Sequence, residues 1–216
     1  MEITYIGHSC FKIKGKEVTV VVDPYNPAKV GYKLPKLEAD IVLITHDHED
    51  HNYLEGVKNY RMVINTAGEY ESKGVYIQGI EVFHDGKQGE ERGENIMYLI
   101  DIDDVDVLHA GDLGHEFSEE TLDKIANVDV LLLPVGGTYT INAEKAVDVI
   151  SELEPGIVVP MHYQTSDLTG MKLDPLDKFL DEMGVSGKNG KEEKIKISNK
   201  SDIPEETTVI VLEPQH

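Results

Sequence analysis

Apolar residues fall in short runs along the chain, and most runs stop abruptly at a polar group. Residues 2–7, 10–14 and 17–23 alternate or cluster apolar side chains, with Gly15-Lys16 as a turn, which predicts a β-meander. Residues 40–45 are rich in Ile and Val and suit a strand buried on both faces. Residues 61–66, 74–83, 96–102, 105–110, 128–135 and 157–161 read as further strands, with 194–198 and 208–212 as closing strands. Helices are expected over 118–127, which opens Ser-Glu-Glu, from the cap Asn142 to about Glu154, and over 174–183. Leu54, Val57 and Tyr60 lie at roughly helical spacing, predicting a short helix opened by Asp50 and His51. Stretches 24–39, 85–95 and 136–141 read as loops, and 184–190 as a loop and no domain linker. Strands precede helices in both halves, so two similar layers facing each other are expected. At 216 residues, the chain is long enough for one large core, and a single domain over 1–216 is the expectation.

The polar groups at the run ends carry the chemistry. Residues 40–45 are followed at once by His46, His48, Asp50 and His51. In extended chain, positions i and i+2 project to one side, so His46 and His48 can converge on one cation. Asp50 and His51 follow where the chain turns and point elsewhere, which suits two ions better than one. Imidazole with carboxylate suits zinc, manganese or iron. A merely solvated, helix-opening loop would rarely pack three histidines and an aspartate so closely. Later runs deliver His84, Asp112 and His162 in the same way, and Gly111 and Gly114 beside Asp112 allow close backbone approach. His8 and Asp23 also end strands. They read equally as turn residues or as groups orienting a ligand histidine through its other ring nitrogen. His109 reads as a packed sheet residue, His115 as a surface or substrate-loop residue, and Gly136-Gly137 as a turn or a weak anion cradle.

Charge narrows the partners. A formal net charge of -21, with Arg61 and Arg92 as the only arginines, excludes a broad electrostatic hold on nucleic acid and favours a small-molecule substrate. The single cysteine, Cys10, excludes an intrachain disulfide and an all-cysteine zinc site. The opening MEITYIGHSC has the alternation of a strand and not the pattern of a signal peptide, and no apolar run approaches a membrane span, so a cytoplasmic protein is expected. Self-association into a homo-oligomer is compatible with such a chain.

The order HxHxDH over His46 to His51, then His84, Asp112 and His162, resembles the metallo-β-lactamase fold superfamily. ITYIGHSCF at the start, VDP at Val22 to Pro24, AGD at Ala110 to Asp112 and VVPMH at Val158 to His162 make it most similar to the branch containing ascorbate-6-phosphate lactonase. The likeness runs from residue 1 to about 163. It implies an α/β (α+β) fold: a four-layer αββα sandwich of two mostly antiparallel mixed sheets, with a dinuclear site on one edge. By the same resemblance His46, His48 and His84 would hold one ion and Asp50, His51 and His162 the other, with Asp112 bridging. The secreted lactamases place a cysteine in the second site where this chain has aspartate. The donors are then all nitrogen and oxygen, so two divalent ions are expected, zinc first, with manganese or iron admissible. The implied activity is that of a metal-dependent hydrolase, in which Asp50 orients a metal-bound hydroxide toward a small ester, lactone or phosphoester. A nuclease of the same superfamily and a non-hydrolytic di-iron redox protein are the two rival readings. The acidic chain speaks against the first.

Overall fold

The computed structural model describes residues 1–185 and 190–216, so most of the loop expected over 184–190 lies outside the described residues. The meander forms as expected from β1 (Glu2–Gly7), β2 (Cys10–Lys14) and β3 (Thr19–Val22), with Tyr5 opposite Phe11 and Phe11 opposite Val22. A helical turn, α1 (Pro27–Val30), and β4 (Leu37–Glu38) precede β5 (Ile41–Leu43), which lies parallel to β3. The strand β6 (Val57–Lys58) pairs with β4, and β7 (Met62–Ile64) runs parallel to β5. A second meander follows: β8 (Gly68–Ser72), β9 (Val75–Phe83), β10 (Glu94–Ile102) and β11 (Val105–His109). Then come α2 (Glu119–Lys124), β12 (Val130–Pro134), α3 (Ala143–Leu153), β13 (Ile157–Met161), α4 (Leu176–Glu182), β14 (Ile195–Lys196) and β15 (Thr208–Val209).

Apart from the two-stranded pair β4-β6, these strands make two mixed sheets. One has six strands in the order β14-β1-β2-β3-β5-β7, the other seven in the order β15-β13-β12-β11-β10-β9-β8. Alternation along each strand explains why they stack. Val20 and Val22, with Ile41 and Leu43, join a core shared with Tyr98, Ile100 and Val107 of the second sheet. Val21 and Val42 face the other way, into a second cluster closed by Tyr25, Val30 and Leu168. The first sheet is therefore covered on both faces, as its continuous apolar runs require.

Tyr98 fastens the two sheets together. Its buried hydroxyl shares its one proton between the carbonyls of Ile44 at 2.9 Å, just past the end of β5, and Ile64 at 3.1 Å, the last residue of β7. Tyr98→Phe is expected to cost about 1–2 kcal/mol, because it leaves buried acceptors without that donor. Urea unfolding of the two proteins, compared at equal slope, measures it.

The topology also explains where the polar groups arrive. Strands β1, β3 and β5 point one way within the first sheet, and β9, β11 and β13 share one direction within the second. Their C-terminal ends line one edge of each sheet. His8, Asp23, His46, His84, Asp112 and His162 all lie just beyond those ends.

Some expected elements differ. No helix forms over residues 50–60. A turn is followed by a single 3-10 turn at Leu54–Gly56 and then by β6. The Tyr53 amide is taken by the Pro24 carbonyl at 2.8 Å, and Val57 pairs with Leu37, so strand pairing overrides the three-residue stripe. The polar, mostly exposed β8 has no counterpart among the expected strands. The loop 24–39 contains α1, capped by the Asn26 side chain on the Ala28 amide and closed by Gly31 at φ 85°. The helix α2 stops at Lys124, so Ile125 packs into the core from extended backbone. Among the described residues, no helix is long and apolar enough to cross a membrane.

Candidate metal centre

Asp112 stands at the centre of the polar edge. Its Oδ2 lies 3.3 Å from His84 Nε2, 3.3 Å from His162 Nε2 and 3.4 Å from His51 Nε2. Two further groups flank it. His46, His48 and His84 present nitrogens that all lie within 4.8 Å of one another, and so do the donor atoms of His8, Asp50, His51 and His162. A third set, His46, His51 and Asp112, meets the same limit between them. All seven residues expected as ligands from the sequence thus converge. His8 joins them.

A chain of hydrogen bonds fixes which nitrogen of His46 is free. Asp23 is fully buried and accepts the Thr45 amide at 2.9 Å, the Thr45 hydroxyl at 2.7 Å and His51 Nδ1 at 2.9 Å. With its proton given to Asp23, the Thr45 hydroxyl must accept from His46 Nδ1 at 2.9 Å. His46 Nε2 is left with a lone pair, buried and without a partner. His51 Nε2 is likewise buried without a hydrogen-bond partner while Nδ1 faces Asp23. Buried ring nitrogens without a hydrogen-bond partner, one held from its far side by the Thr45 hydroxyl and the other by the Asp23 carboxylate, fit a bound cation.

The electrostatics agree with that fit. Burial lowers the pKa of His46 and His84, and it brings His162 down to about 3, so all three imidazoles are neutral near pH 7 and ready to ligate. Burial also opposes charge on Asp112, but His162, His51 and His84 outweigh it and hold the carboxyl well below its usual range. Asp50 behaves alike: burial works to raise it, whereas His51 and the hydrogen bond from His8 lower it further. His51 moves the opposite way. Burial disfavours its cation, yet Asp112, Asp50 and Asp23 raise it well above an ordinary histidine. Three carboxylates around one imidazole make a place that favours positive charge, which a divalent ion supplies.

The surrounding residues hold these groups in place. Asn95 is fully buried; its carbonyl oxygen accepts the Asp112 amide at 3.0 Å and its NH₂ donates to the Ala110 carbonyl at 2.9 Å. The backbone turns back at Gly111, φ 57°, where a Cβ would lie 2.9 Å from that of Thr45. His8, Asp23 and His162 adopt left-handed backbone without being glycine, at φ 57°, 49° and 53°. His8 places Nε2 3.1 Å from Asp50 Oδ2, and its carbonyl accepts the His162 amide at 2.9 Å. Asp23 therefore takes the expected position behind a ligand histidine, whereas His8 meets the Asp50 carboxylate and no ligand histidine. Thr45, Asn95 and Ser9, whose hydroxyl lies 3.5 Å from Asp112 Oδ1, carry no sequence signal beyond their neighbours.

The remaining polar groups stand aside. His109 Nε2 bonds the Ser9 carbonyl at 2.9 Å inside the sheet. His115 accepts the Phe83 amide on Nε2 at 3.0 Å and donates from Nδ1 to the Glu116 carbonyl, tying a loop down away from the cluster. Gly136 serves close packing, since a Cβ there would collide with the His162 carbonyl.

A two-sheet sandwich with a histidine and aspartate cluster at one shared edge defines the class of protein. Residues 2–162 match the model of the family described as Beta-lactamase superfamily domain, and the chain belongs to that family. It is 34% identical over 203 residues to a UPF0173 metal-dependent hydrolase of Thermoplasma volcanium, covering 82% of this chain and 88% of that one. A crystal structure from Thermotoga maritima, of a candidate zinc-dependent hydrolase of the metallo-β-lactamase superfamily, superposes with a TM-score of 0.77 at 35% identity. It covers 98% of this chain and 97% of its own. The metallo hydrolase Igni18 of Ignicoccus hospitalis gives a TM-score of 0.67 at 26% identity, over 99% and 95% of the two chains.

Proposed function

We propose that the protein is a metal-dependent hydrolase acting on a small ester, lactone or phosphoester. The observation that carries this reading is the buried lone pair of His46 Nε2, fixed by the chain Asp23–Thr45–His46 and aimed beside Asp112. The names of the relatives support it. His46, His48 and His84 would hold one divalent ion and Asp50, His51 and His162 a second, with Asp112 between them. Zinc, manganese and iron all suit that nitrogen and oxygen set. Bound there, such ions polarise a carbonyl or phosphoryl oxygen and acidify water near neutral pH.

The chain's own residues do the rest. Asp50 stays ionised, so it serves as an acceptor that orients an attacking water. His8 keeps that carboxylate in place through Nε2. Asp23 fixes the His51 ring, and Asn95 fixes the backbone that presents Asp112. Residues 1–216 are read as one domain that carries this activity. The likeness of its motifs to ascorbate-6-phosphate lactonase makes lactones the first substrates to try.

Chelator treatment is expected to lower hydrolysis of a responsive ester or lactone by about 100-fold or more, with zinc or manganese restoring it. Elemental analysis alongside the assay should give two ions per chain. Full activity in metal-free protein would sink the proposal.

A further inference from the structure

Beside the centre lies a cavity of about 350 Å³, of a size to suit a small molecule, whose lining includes His46, His48 and Arg92. Arg92 is one of only two arginines in a chain of net charge -21, and the sole cationic side chain among the described residues lining this cavity. We infer that Arg92 anchors a non-reacting oxyanion group, a carboxylate or phosphate, on the substrate whose scissile bond lies at the histidine cluster. This deepens the hydrolase reading and rests on it.

Three observations carry the inference. The guanidinium is under-used by the protein. Its contacts to Glu91 Oε2 at 3.5 Å and to the Thr138 carbonyl at 3.4 Å lie beyond ordinary hydrogen-bond length, so most of its five donors are available. Its orientation is supported by the Tyr139 ring, 5.6 Å beneath it, so that loops 85–95 and 136–141 meet at this one side chain. Its backbone is fixed relative to the metal centre. Asp85, next to His84, accepts the amides of Lys87 at 2.7 Å, Gly89 at 3.0 Å, Glu91 at 3.0 Å and Arg92 at 2.8 Å.

The other charges on the cavity wall are Asp47 and Glu94. Both are exposed, and Asp47 already accepts the Asn52 side-chain amide. Water and salt screen such carboxylates, whereas a planar guanidinium binds an oxyanion through two parallel, directional bonds.

The test uses the metal-loaded full chain in two arms. In the first, p-nitrophenyl acetate is compared with mono-p-nitrophenyl succinate, which carries a free carboxylate. Wild type is expected to favour the charged ester in kcat/KM, and Arg92→Gln to lose about ten- to a hundredfold more on the charged than on the neutral ester. In the second, calorimetric titration with succinate and with inorganic phosphate reads binding without turnover. Arg92→Gln is expected to weaken the preferred anion about tenfold or more, and Arg61→Gln not at all. Whichever anion shows the larger loss identifies the source of the group. Equal ester preference, or equal anion binding, in wild type and Arg92→Gln overturns the inference. If wild type cleaves neither ester, the ester branch of the hydrolase reading fails by itself, and the titration still decides the role of Arg92.

Discussion

Asp112→Ala is expected to lose bound metal and turnover together, with kcat reduced by about 10³-fold or more, some 4 kcal/mol or more of barrier at ~1.36 kcal/mol per factor of ten. The carboxylate lies within 3.4 Å of the Nε2 atoms of His51, His84 and His162 at once, and it supplies the charge that favours a cation there. Asp112→Asn keeps the shape and the amide bond to Asn95 but not the charge. It should therefore fail in the same way, with the fold intact by circular dichroism. Metal analysis of both variants, run with the assay, checks the coupling. A variant that retains full metal content would show that Asp112 is a packing residue and no ligand.

Asp23→Ala should be the most damaging change outside the ligand set. It strips a fully buried carboxylate from three donors, the Thr45 amide and hydroxyl and His51 Nδ1, and leaves the His51 ring free to turn. Breaking such a buried charged network costs about 3–5 kcal/mol. For a chain of this size, each kcal/mol lowers the melting temperature by roughly 2–4 °C. Metal affinity is expected to drop by about 10- to 100-fold besides, because an orienting partner of a ligand histidine has gone. Asp23→Asn should recover part of the stability but not the affinity, since an amide restores shape without drawing the Nδ1 proton. Melting curves with and without added zinc separate the two losses, and unaltered zinc affinity in Asp23→Ala would contradict the role assigned to it.

Much of this centre is legible in the chain because its donors sit where patterned strands stop. His84 and His162 follow apolar runs directly, and the apolar patterning of β9 and β13 is enough to put each at a strand end. The supporting residues are less legible. Asn95 lies at the second residue of β10, in a stretch whose composition is that of a polar loop, and only the tertiary approach of Ala110 and Asp112 gives it a function. His8 has the local setting of a turn residue, and its partner Asp50 lies 42 positions away. The helix expected after His51 fails for a related reason: Leu54 and Val57 have helical spacing, but Leu37 offers Val57 a strand partner that no local window reveals. Polar β8, by contrast, has no apolar pattern to read and takes its form from β9 alongside it.

The outer strand of the first sheet sets the order of events in synthesis. Ile3 pairs with Ile195, so β1 has no outer neighbour until β14 has been made. At roughly 5–20 residues per second, that interval is roughly ten to forty seconds, during which an unpaired edge and half a set of histidines stand open on the ribosome. His162 emerges well after His46, and the edge can close only later still. The nascent chain therefore passes through a stage in which its first layer is translated but unfinished, and the long-range pairing of β1 with β14 favours slow folding.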